Sequence, residues 1–201
     1  MTLGTMKIAA LAVAVALAGP AAAGELRPAN VRNCIWCHGT SAQGYASAPR
    51  LAGQRPAYIE KELRAFHDRM RDNPQSRQYM WGAAEALNRW KARDLATYFS
   101  TIPGKPAKDG HRDLVAEGRT IYELGIPDAN IVSCVVCHGP HGEGVRDIPR
   151  LSGLSYTYLR DRLEQWNEGY HASATYPMPK VARTLSPPEV EALASYLSFA
   201  R

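Results

Sequence analysis

Ile59, Leu63, Phe66 and Met70 stand four, three and four residues apart, the spacing of an apolar stripe along one helix face. Leu159, Leu163, Trp166 and Tyr170 repeat that spacing one hundred residues on. Pro56 suits the first turn of the earlier helix, where a missing N–H loses no bond. Ser186-Pro187-Pro188-Glu189 predicts the start of a closing helix, with serine as cap, proline at the first position and glutamate at the third. Val190, Leu193 and Leu197 are its expected buried face. Leu114 to Leu124 predicts a further helix. No segment alternates apolar and polar residues convincingly, so the expected fold is all-α.

The two stripes belong to a longer repeat. At an offset of 100, Cys34-Ile35-Trp36-Cys37-His38-Gly39 matches Cys134-Val135-Val136-Cys137-His138-Gly139. Gly44 matches Gly144, Pro49-Arg50-Leu51 matches Pro149-Arg150-Leu151, Gly53 matches Gly153, and Tyr58 matches Tyr158. Beyond the middle helix the offset drops to 98, pairing Met80 with Met178, Leu87 with Leu185 and Tyr98 with Tyr196. The first copy therefore holds two extra residues before its methionine. Between the copies, Ile102 to Gly110 carries too many prolines and glycines for a helix and reads as a linker. The expected organisation is one domain over 24–102, a linker over 103–110 and a second domain over 111–201. Domains this small fold alone with difficulty, and a large buried prosthetic group would supply the apolar contact they lack.

The 201 residues are 45% hydrophobic and 21% charged, which excludes a disordered chain. Lys7, the apolar run Ile8 to Ala18, the break at Gly19-Pro20 and the small Ala21-Ala22-Ala23 predict an export signal over 1–23, cleaved after Ala23. That run is short for a membrane span and no later stretch replaces it. The expected location is the periplasm.

All four cysteines lie in the two Cys-x-x-Cys-His motifs, leaving none for a disulfide. This is the attachment signal for c-type haem. One helical turn presents both thiols and the imidazole to one edge of a flat macrocycle. Cys34, Cys37, Cys134 and Cys137 are the expected attachment points of two covalent haem c groups, with His38 and His138 as iron ligands. Zinc at the cysteine pairs would explain neither the histidines nor the repeated methionines.

The distal ligand separates an electron carrier from an enzyme with an open iron. Met178, between Pro177 and Pro179, is expected in an extended loop, because flanking prolines oppose a helix. Met80 is its repeat mate; each stands seven residues before a leucine. Met70 lies on the apolar stripe and reads as core. His67, His111, His141 and His171 read as exposed, with His171 the rival ligand in the second half. Pro49 and Pro149 follow His38 and His138 by eleven residues, and a carbonyl there could accept the imidazole's other N–H. Arg50 and Arg150, or Tyr58 and Tyr158, are candidate partners of haem propionates; the tyrosines could equally pack between domains.

Together these residues resemble the two-haem cytochromes c of the c4 type. The resemblance rests on the paired Cys-x-x-Cys-His-Gly, the two Pro-Arg-Leu-x-Gly stretches, Met80 and Met178, and the closing helices with Leu-x-x-Tyr. It covers nearly all of the chain after residue 23. It implies two tandem cytochrome c domains, related by a pseudo-twofold axis, with the haems near their interface. It also implies an electron carrier, not an enzyme, that shuttles electrons between respiratory complexes toward a terminal oxidase. The expected partners are redox proteins, a membrane oxidase or a quinol-oxidising complex, with room for peripheral membrane contact and none for nucleic acid. The alternative is the cytochrome subunit of a periplasmic dehydrogenase that oxidises sulfur compounds or alcohols. Three departures stand out: the first domain's opening helix is short, the methionine loop Arg77-Gln78-Tyr79-Met80-Trp81 is unusual, and Leu154 replaces an expected glutamine.

Residues 24–105 hold 13 basic and 7 acidic side chains, whereas residues 106–201 hold 10 and 12. Such a split orients a molecule in a partner's field. The N-terminal lobe is expected to dock on an acidic surface through Arg69, Arg71 and Arg77.

Overall fold

The computed structural model describes residues 1, 28, 31–45, 47–170 and 177–201. The expected export signal, apart from Met1, and His171 lie outside the described residues.

Helix α1 (Val31–His38) ends on the first Cys-x-x-Cys-His motif. Helix α2 (Pro56–His67) starts at the expected proline. A π turn, Ser76–Met80, runs directly into α3 (Trp81–Ala84). Helix α4 (Arg89–Thr101) follows, capped by the Asn88 side chain, which accepts from the Lys91 N–H at 3.0 Å. The second copy repeats the order with α5 (Val115–Leu124), α6 (Val135–His138), α7 (Tyr156–Asn167), α8 (Met178–Ala182) and α9 (Pro187–Phe199). Ser186 and Glu189 form the reciprocal cap that their spacing predicts. Among the described residues, extended pairing is limited to the isolated bridges Tyr45–Ala48 and Ile126–Ile131, so the fold is all-α as expected.

Among the described residues there are two apolar cores, and no buried residue belongs to both. In the first, Ile59 of α2 meets Leu95, Ala96 and Phe99 of α4 over Val31 of α1. In the second, Ile121 and Tyr122 of α5, Leu159 and Leu163 of α7, and Val190, Leu193 and Leu197 of α9 pack together. The stripe residues thus reach the core where the helices carry them.

Two expectations fail where helices begin and end. Met70 is 49% exposed and not core. Helix α2 closes at His67, Arg69 turns left-handed at φ 57°, and the Met70 N–H returns to the Ala65 carbonyl at 2.8 Å. The chain leaves the helix before the fourth stripe position, and periodicity carries no information about that exit. Met178 does not lie in an extended loop; it opens α8. Pro177 is already helical (φ −71°, ψ −26°), and its carbonyl accepts from Lys180 and Val181 at 2.9 and 3.1 Å. Pro179 falls in the first turn, where proline is tolerated.

The segment after α4 has no helix of its own until a 3₁₀ turn at Arg112–Leu114, yet it is tied down on both sides. Gln43 of the first copy donates to the Pro103 carbonyl at 2.9 Å and accepts from the Lys105 N–H at 2.8 Å. The Ala107 and Lys108 N–H groups bond to the carbonyls of Gly153 and Ser198 at 3.1 and 3.0 Å.

Helices α5 and α9 cross at Gly118, where an added Cβ would collide with the Ala192 carbonyl oxygen. Gly118→Ala should therefore force the helices apart and cost about 1–3 kcal/mol. Thermal unfolding of the haem-loaded protein should show a lower midpoint with the visible spectrum unchanged below it.

Candidate haem sites

Each site is a helical turn with a loop folded back on it. Cys34, Cys37 and His38 come from α1, and Cys134, Cys137 and His138 from the chain at and within α6. The intervening Trp36 and Val136 point outward, 87% and 79% exposed, whereas both histidines are buried. In each copy the loop returns through the same bonds. Gly44 and Gly144 donate to the carbonyls of His38 and His138, both at 2.8 Å. Leu51 and Ala52 share the Ala42 carbonyl at 2.9 and 3.0 Å; Leu151 and Ser152 share that of Gly142 at 2.7 and 3.0 Å. Gly44 and Gly144 hold φ 85° and 72°, and a Cβ at Gly44 would lie 2.7 Å from the Arg50 nitrogen, so the closure requires glycine.

The loop delivers the Pro49 carbonyl to 2.7 Å from His38 Nδ1, and the Pro149 carbonyl to 2.9 Å from His138 Nδ1. A carbonyl only accepts, so Nδ1 carries the proton and Nε2 keeps its lone pair. Burial lowers the pKa of both imidazoles, opposed by the bond to the proline carbonyl; at His38 the positive charge of Arg71 adds to the lowering. Both rings are therefore neutral at neutral pH, with Nε2 available to a metal. Burial also raises the thiol pKa of Cys34 and of Cys134, the latter to about 11. Trp166 Nε1 is buried and has no hydrogen-bond acceptor among the described residues. The residues present fit covalent haem at both motifs.

Met80 and Met178 are half-buried at matching places, each at the entry to a short helix. Met178 packs against the second core. The first copy's two extra residues lie in the stretch that includes the π turn, a geometry suited to absorbing insertions. His67, His111 and His141 are exposed as expected; His67 Nδ1 pairs with Asp68 at 2.8 Å, and the His111 ring stands edge-on to Tyr156 at 5.1 Å.

Arg50 and Arg150, candidate partners of haem propionates, each reach into the other copy. Arg50 donates through Nη1 to the carbonyls of Lys105 and Gly153 at 2.8 and 3.0 Å, and through Nη2 to that of Ser152 at 2.7 Å. Arg150 Nε donates to the Gly53 carbonyl at 3.1 Å. Burial, with the like charge of Arg150, lowers the Arg50 pKa to about 10, so it stays charged at neutral pH. Gln54 adds two bonds to the Arg150 backbone, at 2.9 and 2.7 Å, while Leu154 at the matching place is buried in the second core.

Arg71, expected as a surface contact, is 7% exposed and ion-paired with buried Glu62. Its Nη2 donates to the Tyr158 hydroxyl at 3.3 Å. Beside it, Gln165 donates to Gln75 at 2.8 Å across the boundary. Sequence reasoning missed this cluster, although Glu62 and Arg162 beside buried stripe positions were a signal.

Known proteins share this arrangement. The Cytochrome c family matches residues 115–199. A thiosulfate dehydrogenase electron acceptor of Thiomonas intermedia is 33% identical over 177 residues, 85% of this chain and 80% of the relative. Cytochrome c4 of Thiocapsa roseopersicina is 32% identical over 184 residues, 89% of this chain and 92% of the relative. The solved cytochrome c4 of Acidithiobacillus ferrooxidans superposes with a TM-score of 0.78 at 32% identity, covering 84% of this chain and 99% of that one.

Changing Cys34 and Cys37 together to alanine should lower the haem content from two per chain to one, and so should the matching change at Cys134 and Cys137. Haem-stained denaturing gels and pyridine haemochrome spectra give the count.

Proposed function

The chain belongs to the dihaem cytochromes c4, and from that premise we propose that it shuttles electrons in the periplasm between respiratory complexes, toward a terminal oxidase. As a member it binds two covalent haem c groups and carries electrons without catalysing a reaction of its own. Its partners are redox proteins. Our reading assigns His38 and Met80 to the first iron and His138 and Met178 to the second. It assigns the two domains to 24–102 and 111–201 with the linker between them.

The observation that carries this reading is the buried, neutral, carbonyl-oriented histidine in each copy, with a methionine at the same place in each repeat. Bound haem supplies an iron that gains and loses one electron. The protein fixes the imidazole through Pro49 or Pro149 and offers a thioether, a soft ligand that favours the reduced metal. The reciprocal arginines hold the two lobes in one arrangement. Periplasmic location is supported by the export signal expected at the N-terminus; among the described residues no helix is long and apolar enough to cross a membrane. A second reading, electron acceptor of a sulfur-oxidising dehydrogenase, draws support from the Thiomonas relative. Purification from native membranes separates the two: retention by an oxidase supports the first, by a dehydrogenase the second.

The docking face is narrower than the charge split alone indicates. Arg69 and Arg77 flank the Trp81 ring at 5.5 and 5.8 Å, beside exposed Tyr79 and Met70. Arg77 also lies 3.8 Å from Asp72. This basic-rimmed apolar patch adjoins Met80 and suits an acidic partner.

Replacing Met80 or Met178 with alanine should lower that haem's reduction potential and let added imidazole or cyanide bind its iron. Met70→Leu should leave both spectra unchanged. Redox titration with visible spectroscopy checks all three.

Electron transfer to the oxidase should slow as salt rises. Charge reversal at Arg69 and Arg77 should slow it at least tenfold at low salt, whereas reversal at exposed Arg119 and Arg183 should change it little. Stopped-flow oxidation gives the rates.

A further inference from the structure

One cleft at the boundary between the lobes gathers positive charge and no negative charge. It measures about 460 Å³ and lies where the last turn of α4 and the segment after it meet the first turn of α2. Arg50, Arg55 and Arg150 line it, and none of its described lining residues is acidic. No residue of either Cys-x-x-Cys-His motif borders it, nor does Met80 or Met178.

Two of the three guanidinium groups have a donor to spare. Arg50 is 5% exposed, and its Nη1 and Nη2 are bonded to carbonyls, yet its Nε is buried with no acceptor among the described residues. That Nε lies 3.1 Å from where a Cβ on Gly104 would stand, and Gly104 also lines the cleft. The nitrogen therefore faces the space that the glycine leaves. Arg55 Nε is likewise buried without an acceptor. Buried donors are nearly always satisfied, by protein, by water or by a bound ion.

The backbone adds to the charge. Arg55 is the N-cap of α2 and supplies no side-chain cap, whereas Ser155, at the same place in the second copy, accepts the Tyr158 N–H at 3.3 Å. An uncapped helix N-terminus favours an anion. At the end of α4, the carbonyls of Thr97, Tyr98 and Phe99 are already engaged by Ser100, Thr101 and Gly53.

We propose that this cleft binds one small tetrahedral oxyanion, of the phosphate or sulfate class, between Arg50, Arg55 and the N-terminus of α2, and that the anion strengthens the join between the lobes. Guanidinium donors match the oxygens of such an ion. No aromatic ring lines the cleft, so a nucleobase would have nothing to stack on. Arg50 and Arg150 both cross the boundary, and their like charges oppose each other. An anion beside them offsets that repulsion and stabilises the joined lobes by mass action. Binding here is independent of which partners the haems serve.

Isothermal titration of the haem-loaded protein with sodium phosphate, and separately with sodium sulfate, tests this at an ionic strength held constant with chloride. One anion should bind per chain, and the two arms show which is preferred. Arg55→Gln should weaken binding by about tenfold or more. Thr101→Glu places a carboxylate at an exposed position of the cleft wall and should abolish binding with every arginine intact. At a phosphate concentration ten times Kd, the unfolding midpoint should rise by about 3–6 °C over matched chloride. That rise should vanish in Arg55→Gln. Absence of saturable binding to the haem-loaded protein, the result expected if a haem propionate fills the cleft, would overturn the proposal. So would binding that both variants leave unchanged, or an equal rise in midpoint with and without Arg55, which is the general effect of excluded salts.

Discussion

The bond from a buried imidazole Nδ1 to a proline carbonyl organises each half of this molecule. It needs a histidine at the end of a helical turn and a loop that returns after eleven residues. It also needs a glycine where the loop closes against its own backbone. The bond fixes the ring's tautomer and leaves Nε2 as the only nitrogen with a lone pair. The same loop carries Arg50 and Arg150 immediately after the prolines. Orienting the histidine and joining the two halves are therefore consequences of one local fold.

The join is polar. Among the described residues the two cores share no buried residue, and hydrogen bonds from Arg50, Arg150, Gln54, Lys61, Arg71 and Gln165 cross the boundary. A hydrogen bond to a charged group contributes about 1.5–3 kcal/mol, and losing its partner in a buried place costs as much or more. Directional bonds of this kind hold the lobes in one orientation. Two redox centres that exchange electrons within one chain depend on that fixed relation.

The repeat is close in its loops and unequal at its interface. Gln54 clamps the Arg150 backbone where Leu154 turns into the second core, and Glu62 stands where the other copy has Arg162. The methionine segment of the first copy holds a π turn, an indole bonded to Arg71 and two flanking arginines. Duplication supplied two similar sites, and substitutions between and around them made the surroundings different.

The sequence by itself determined the elements whose signals are local. The stripe from Ile59, the cap at Ser186, the repeat, the attachment motifs and the proline eleven residues beyond each histidine all depend on short-range spacing, and spacing is visible in a string of letters. Met70 and Met178 were misread because a helix end depends on where backbone N–H groups find acceptors, here Ala65 and Pro177, and periodicity does not report that. Only the tertiary structure decided that Arg50 and Arg150 bridge the lobes and that Arg71 is an interior cation. In each case the partner lies across the domain boundary or is buried by it. A charged side chain has one appearance in sequence, and its role is set by what the other half of the molecule brings to it.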